Sequence, residues 1–303
     1  MSPLLAMTLL VIGGSGFLGG ELVRRASAAG HAVAATFATR PGDRTGAVWL
    51  PVDLREPGGI EAVIARTEPA AVINAAYRKS DWATTAEGAV RAAVAATGYG
   101  VRLVHVSSDA VFSGARVRYD ESAAPDPTTP YGAAKAAAET AIRLLAPAAV
   151  IARTSLIIGD GGSVHEAMVH DLCAGRSEGA LFTDVVRCPV HVSDLADALL
   201  ELAWSDQAGV RHVTGPDAVS RYELGVLIAR RDGLDPSSLP SGRRAGSGVP
   251  GPLDVRLDGR ATRRGLRTAL RGAREFLAAG GQRPTAGPRA RDRQRPGRSD
   301  ERA

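Results

Sequence analysis

Aromatic side chains are scarce in this chain of 303 residues, at 4%, and only two cysteines occur, Cys173 and Cys188. The core must therefore be built from Ala, Val and Leu, and two cysteines cannot form a disulfide framework, which favours a reducing, cytoplasmic location. No apolar run approaches the ~20 residues that cross a bilayer, so we expect no membrane partner. The six histidines lack metal-ligand spacing, which predicts no metal site.

Lysine is nearly absent too, since Lys79 and Lys135 are the only two and arginine carries the remaining positive charge. The formal net charge is +5, but residues 280–303 alone hold seven arginines against three acids. That segment has no apolar periodicity, so we predict a disordered Arg-rich tail. The rest of the chain is close to neutral, which argues against a nucleic-acid partner. A tail that binds polyanions stays open as an alternative.

Short apolar runs alternate with alanine-rich helical stretches through the first half of the chain. The predicted strands are 8–12, 31–37, 47–50, 71–74, 101–107 and 148–153. The predicted helices are 17–29, 57–66, 81–97 and 131–145. The strands are almost continuously apolar, as in a parallel sheet with helices on both faces. The alternation predicts an α/β fold with a doubly wound parallel sheet of the Rossmann type.

The regular alternation of strands and helices ends after residue 154. Helices are predicted over 163–174, 193–204 and 220–231, with a strand over 210–214. This half is too irregular to be a second unit of the same kind. We expect an NAD(P)-binding domain over 1–154 and a smaller, intertwined substrate-binding lobe over 155–279, with one strand or helix returned to the main sheet.

Three glycines follow the first predicted strand and open the first helix: Gly13, Gly16 and Gly19. The first permits a tight turn, the second lets the backbone approach a pyrophosphate, and the third lets helix and strand pack closely. Free amides at the start of the helix then face the anion. We predict dinucleotide binding at this loop, which also includes Ser15, Phe17 and Leu18.

We expect the residues that distinguish NAD from NADP to lie at the end of the second strand. A site that prefers NAD usually places an acid there for the ribose hydroxyls. This segment has no acid and ends in Arg40, whose guanidinium can hold a 2′-phosphate. We therefore predict NADPH rather than NADH, with a merely solvated Arg40 as the alternative.

Two further strand ends carry candidate cofactor contacts. Asp53, followed by Leu54, could hydrogen-bond the adenine amino group, or it could cap a helix. The fourth predicted strand ends in small side chains that suit a backbone passing beside a ribose: Asn74, Ala75 and Ala76.

Tyr131 and Lys135 lie four residues apart on a predicted helix, and hence on one face. Reduction of a ketone leaves an alkoxide that needs a proton, which a tyrosine can supply. A lysine ammonium nearby is expected to lower the phenol pKa from ~10 and to hold the nicotinamide ribose. Ser107 and Ser108 end the fifth predicted strand, at the sheet edge where ligands bind, and we expect Ser107 to contact the cofactor. A hydroxyl there can bond the carbonyl oxygen of a substrate.

These motifs, GGSGFLG, VINAA, LVHVSSDAVFSG and YGAAKAAAE, resemble in order those of the extended short-chain dehydrogenase/reductases. Within them, the chain is similar to the dTDP-4-dehydrorhamnose reductase group of sugar-nucleotide reductases. The resemblance implies NADPH-dependent reduction of the 4-keto group of a nucleotide-linked 6-deoxyhexose. It assigns Tyr131 as the acid, Lys135 as its support and Ser108 as the catalytic hydroxyl. The expected substrate contacts are Asp109, Thr154, Thr183 and Arg187.

Three positions depart from the family pattern: Ala110 replaces a tyrosine, Leu156 a tryptophan, and Thr85 an asparagine that supports a proton relay. They keep two alternatives open. One is an idle dinucleotide-binding regulatory subunit, like that of methionine adenosyltransferase, which belongs to the same group. The other is an epimerase or dehydratase that retains NAD, with Asp109 as a candidate carboxylate. A homodimer also stays open.

Overall fold

The structure is a computed structural model that describes residues 7–43 and 45–278, so the predicted tail lies outside the described residues. The strands are β1 (Thr8–Ile12), β2 (Ala32–Phe37), β3 (Ala47–Pro51), β4 (Ala71–Asn74), β5 (Arg102–Ser108), β6 (Arg118–Tyr119), β7 (Val150–Thr154), β8 (Ile157–Ile158), β9 (Leu181–Phe182), β10 (Val186–Arg187), β11 (Val190–His191), β12 (Gly209–His212), β13 (Val219–Ser220), β14 (Ser241–Gly242) and β15 (Arg256–Leu257). The helices are α1 (Phe17–Ala28), α2 (Gly59–Thr67), α3 (Gly88–Gly98), α4 (Pro130–Leu145), α5 (Val164–Cys173), α6 (Val192–Ala203), α7 (Arg221–Arg231), α8 (Arg260–Gly265) and α9 (Ala273–Phe276).

Seven parallel strands form the main sheet, in the spatial order β3-β2-β1-β4-β5-β7-β12. The order reverses between β1 and β4, which is the switch point where ligands bind in such sheets. The predicted α/β fold is therefore confirmed.

Helices cover both faces of this sheet, and alternate residues of β1 show it. Leu9 and Val11 belong to a core shared with α1 and α6, whereas Leu10 and Ile12 belong to a core shared with α2, α3 and α4. Burial on both faces explains why the strands read as unbroken apolar runs.

The predicted helix over 81–97 is not uniform. It begins with a π-helical turn over Ala83–Glu87 and continues as α3. The Asp81 carboxylate caps this turn by accepting from the Thr84 amide at 3.0 Å. Hydrogen bonds from Asp and Thr side chains to the nearby backbone compete here with the regular hydrogen bonds of an α-helix.

A smaller lobe, built around α5 and α7, has its own core, which includes Ile158, Val169, Leu224 and Ile228. The chain of this half also returns to the main sheet, because β12 pairs with β7 from Gly209–Val150 to His212–Arg153. The lobe and the sheet are thus intertwined. In the described part of the chain, no helix is long and apolar enough to span a membrane.

Candidate active site

The glycine loop between β1 and α1 has the close packing that the sequence predicts. Gly13 has a φ of +81°, and a Cβ added there would lie 2.8 Å from the Cα of Ala76. A Cβ at Gly19 would lie 2.1 Å from the carbonyl oxygen of Gly13. Residue 16 is also a glycine, so no side chain caps the first amides of α1. Those amides can serve an anion, as a pyrophosphate requires.

Thr36 fixes this loop, and sequence reasoning missed it. Its buried hydroxyl accepts a hydrogen bond from the Gly13 amide at 3.0 Å, which ties the end of β2 to the loop. A hydroxyl in an otherwise apolar strand was the available signal. Ser15 and Phe17 are exposed, whereas the Leu18 side chain is buried in the core, so only the backbone of Leu18 could meet a cofactor.

The residues expected around the adenosine end lie at the same sheet edge. Arg40 is exposed and makes no hydrogen bond or ion pair with the residues that the structure describes. Asp53 accepts hydrogen bonds from the Arg55 amide and guanidinium, both at 2.9 Å, and this pairing lowers the pKa of Asp53 to about 2. Helix α2 begins later, after Gly58, so the alternative of Asp53 as a helix cap is wrong. The Leu54 side chain is buried.

Asn74 shapes the turn that follows β4. Its Oδ1 accepts from the Ala76 amide at 3.1 Å, and its Nδ2 lies 3.4 Å from Nδ1 of the buried His105. Ala75 and Ala76 remain partly exposed beside the glycine loop. This small-residue edge leaves room for a ligand.

Tyr131 and Lys135 lie on the first turns of α4, which Thr129 caps by accepting from the Gly132 amide at 3.1 Å. Lys135 is buried, and its Nζ donates to the carbonyl oxygen of Val106 on β5 at 2.9 Å. Ser108 ends the same strand, and its hydroxyl lies close enough to the Tyr131 phenol to lower the pKa of that phenol. The structure therefore brings the three predicted catalytic groups together.

The pKa values of this site correct one expectation. Burial raises the pKa of Tyr131 above its ordinary value, Tyr77 and Asp109 raise it further, and the Ser108 hydroxyl opposes the rise. The predicted lowering of the phenol pKa by Lys135 is wrong, because burial and the negative charges of Tyr77 and Asp109 disfavour the phenolate and Lys135 is not among the groups that shift this pKa. Burial lowers the pKa of Lys135 to about 8. At neutral pH, Tyr131 keeps the proton that an acid must supply.

A buried ion pair lies next to the predicted catalytic groups. Glu139, one turn after Lys135, pairs with Arg153 on β7 at 2.7 Å, and both side chains are fully buried. Ser107 donates to the Glu139 carboxylate at 2.6 Å, so the hydroxyl expected to contact the cofactor points inward instead. Sequence reasoning missed this pair. The signal for it was an acid, four residues after Lys135, in an alanine-rich helix.

Asp109 and Arg187, two predicted substrate contacts, lie side by side. The Asp109 carboxylate accepts from the Ser155 hydroxyl at 2.6 Å and lies 3.6 Å from Nε of Arg187. The other guanidinium nitrogens of Arg187 donate to the carbonyl oxygens of Val186, Pro252 and Leu253. Arg187 therefore holds the 252–253 segment as well as facing Asp109.

The other two predicted substrate contacts differ in their surroundings. Thr154 is buried, and its hydroxyl has no hydrogen-bond partner among the described residues. A buried hydroxyl without a partner can serve a ligand. Thr183 is exposed and donates to the carbonyl oxygen of Gly242 at 3.2 Å.

Two more arginines of the lobe lie near enough to Arg187 for its charge to lower their pKa values, and sequence reasoning missed them. Burial, together with the charge of Arg187, lowers the pKa of Arg221 to about 10, and burial and Arg187 also lower the pKa of Arg244. Three guanidinium groups near one another favour a polyvalent anion. The abundance of arginine in the chain hid this cluster.

Two of the departures from the family pattern have structural roles. Thr85 is buried, donates to the carbonyl oxygen of Arg78 at 2.7 Å and accepts from the Arg78 amide at 3.0 Å. Leu156 packs against the core of the lobe. Among the described residues, no group of three or more His, Cys, Asp or Glu side chains could hold a metal ion.

Comparison with known proteins agrees with this geometry. The profile of the RmlD substrate binding domain family matches residues 7–278. A dTDP-4-dehydrorhamnose reductase of Mycobacterium tuberculosis is 33% identical over 249 residues, 75% of this chain and 76% of that protein. Methionine adenosyltransferase 2 subunit beta of Danio rerio is 28% identical over 229 residues, 69% of this chain and 71% of that protein. The crystal structure of a Bacillus anthracis dTDP-4-dehydrorhamnose reductase in complex with NADP has a TM-score of 0.77 at 22% identity, covers 89% of this chain and 97% of that one, and shows the same fold.

Proposed function

The chain belongs to the RmlD substrate binding domain family, as the motifs predicted, and on that premise we propose that it is an NADPH-dependent reductase of a nucleotide-linked 4-keto-6-deoxyhexose. The observation that carries the proposal is the meeting of Ser108, Tyr131 and the buried Lys135 beside the glycine loop. The reductases among the relatives support the same activity.

Different residues at the sheet edge would bind different parts of the cofactor. Amides of the loop from Gly13 to Gly19 would hold the pyrophosphate, Arg40 the 2′-phosphate and Lys135 the nicotinamide ribose. NADPH, when bound, supplies the hydride. No acid stands at the end of β2 to favour NAD instead.

The proton reaches the substrate from Tyr131. Ser108 donates a hydrogen bond to the keto oxygen and supports the negative charge that develops there. The Tyr131 hydroxyl then passes its proton to that oxygen, which becomes the alcohol, and the phenolate left behind is stabilised by the Lys135 ammonium. The raised pKa of the free phenol keeps the proton available before the reaction.

The arginine cluster of the lobe supports a nucleotide diphosphate as the remote part of the substrate. Arg187, Arg221 and Arg244 together carry three positive charges, one of which Asp109 already compensates, and a diphosphate could neutralise the other two. The pairing of Asp109 with Arg187 argues against a dehydratase, because that carboxylate is already committed to a cation. The intact Ser108, Tyr131 and Lys135 argue against an idle subunit.

We further propose a cytoplasmic location and a homodimer. The two unpaired cysteines support the first. Exposed apolar side chains on the paired helices α3 and α4, Val94 and Leu144, support the second, since a dimer would cover them. Light scattering of the purified protein gives the oligomeric state directly.

The test of the activity is NADPH oxidation, followed at 340 nm, against a panel of 4-keto-6-deoxy sugars linked to dTDP, UDP and GDP. We expect turnover with at least one member. Tight NADPH binding without turnover of any panel member would contradict the proposal and favour a regulatory subunit.

A further inference from the structure

Lys135 is a buried cation with little to compensate its charge. Its side chain is 3% exposed, and its Nζ donates one hydrogen bond, to the Val106 carbonyl oxygen. In the described part of the chain, no carboxylate lies within ion-pair distance of this ammonium. Glu139 on the same helix favours the charged form of Lys135, but its carboxylate is also shared by Arg153 and Ser107. Burying an ammonium is costly unless its charge is compensated, so another group must support it.

The ring of Tyr77 is in the right place to do so. The Lys135 Nζ lies over this ring, 5.5 Å from its centroid, within the range of a cation–π contact. The same ring lies 5.7 Å from the Tyr131 ring, at an interplanar angle of 51°. One aromatic side chain thus touches both the acid and its supporting lysine.

The backbone around Tyr77 is held on both sides. Before it, the Ala76 amide is bound by Asn74; after it, the Arg78 amide and carbonyl are both bound by the Thr85 hydroxyl. Yet Tyr77 itself is 52% exposed, so core packing does not explain its position. A half-exposed ring held this firmly beside two catalytic groups points to a role in the site.

We propose that Tyr77 is a positioning residue of the catalytic centre, whose ring holds the Lys135 ammonium in its charged form and in place beside Tyr131. Its effect on turnover rests on the proposed function; its effect on Lys135 does not. The charged and titratable groups around this ammonium come from several elements: Tyr131 and Glu139 on α4, His105 on β5, Arg153 on β7 paired with Glu139, and Tyr77 after β4. Burial holds the pKa of His105 well below its ordinary value, so this imidazole stays neutral.

The composition of the chain makes Lys135 directly observable. With two lysines in the sequence, protein labelled with ¹³C at lysine Cε gives two signals, and Lys79→Arg assigns them. In the parent, Lys135 should titrate near its pKa of about 8. In Tyr77→Leu the midpoint should fall by about one pH unit, whereas Tyr77→Phe, which keeps the ring, should titrate like the parent.

Tyr99→Leu is the matched control, because Tyr99 is 53% exposed at the end of α3 and no ring or cation–π contact joins it to the described catalytic residues. It should leave the Lys135 midpoint unchanged. An unchanged midpoint in Tyr77→Leu would overturn the inference. If Tyr77→Leu unfolds, Tyr77→Met tests the same loss of the ring with a flexible side chain.

Turnover provides the second readout. With a 4-keto sugar substrate, Tyr77→Leu should lower kcat by about ten-fold and move the alkaline fall of kcat to lower pH, with Tyr77→Phe close to the parent. A rise in KM with an unchanged kcat and an unchanged pH profile would show that Tyr77 only contacts the substrate, and would refute the positioning role. If the parent reduces no keto sugar, the proposed function fails, and the lysine titration still decides the role of Tyr77.

Discussion

The two ends of the candidate active site are formed by different kinds of group. The cofactor end consists of backbone and small side chains, in which Gly13 and Gly19 leave no space for a Cβ. The catalytic end rests on buried charges, above all Lys135 and the Glu139–Arg153 pair. Backbone geometry is dictated locally, whereas a buried charge depends on partners that come from distant parts of the chain. Substitutions at the two ends should therefore fail in different ways.

The largest effect is expected from Tyr131→Phe. The change keeps the ring and removes the proton donor, so turnover of a 4-keto sugar nucleotide should fall by about 10²–10⁴. The affinity for NADPH, measured by fluorescence titration, should change little, because loop amides and Lys135 are untouched. A variant as fast as the parent would show that the proton comes from elsewhere.

Next in size is Glu139→Gln, which leaves the buried Arg153 without its counter-charge. We expect a loss of about 3 kcal/mol in the free energy of unfolding, measured with urea. The matched control is Glu87→Gln, at the exposed pair with Arg91, which should change stability by less than about 1 kcal/mol. Equal effects of the two variants would mean that burial does not distinguish these ion pairs.

At the cofactor end, Gly19→Ala should weaken NADPH binding by about ten-fold or more, because its Cβ would meet the Gly13 carbonyl and push the loop away from the anion. Gly20→Ala is the control: its Cβ would lie at an ordinary 3.7 Å from the Gly14 carbonyl oxygen. If both variants bind NADPH like the parent, the loop does not carry the pyrophosphate.

The smallest effect is expected from Arg40→Ala. The exposed guanidinium should contribute up to about ten-fold to the preference for NADPH over NADH, since a solvated charge pair is weak. Dissociation constants for both cofactors measure it. If the parent binds NADPH and NADH with equal affinity, Arg40 does not contact the 2′-phosphate.

The same contrast explains what the sequence could predict. The bounds of β1 and β4 were predicted to the residue, and the glycine loop and the Tyr131–Lys135 pair were found from spacing, because each depends on local backbone or helix geometry. Arg221, Thr36 and the Glu139–Arg153 pair were missed, because only the folded chain brings their partners together.

The direction of the Tyr131 pKa shift was predicted wrongly for the same reason. Spacing places Lys135 one turn away, but burial, which decides the direction of the shift, depends on neighbours that are distant in the sequence, such as Tyr77 and Ser108.

The return of β12 to the sheet constrains how the chain folds. As the protein leaves the ribosome, β7 has no partner on its outer side until residues 209–212 emerge. A nascent chain of 154 residues would present that edge, with unpaired amides and carbonyls, to other chains. The parallel pairing of β7 with β12 spans more than fifty residues, and non-local pairings of this kind form slowly. Cutting the chain at residue 154 should therefore yield an aggregating fragment rather than a separable nucleotide-binding domain.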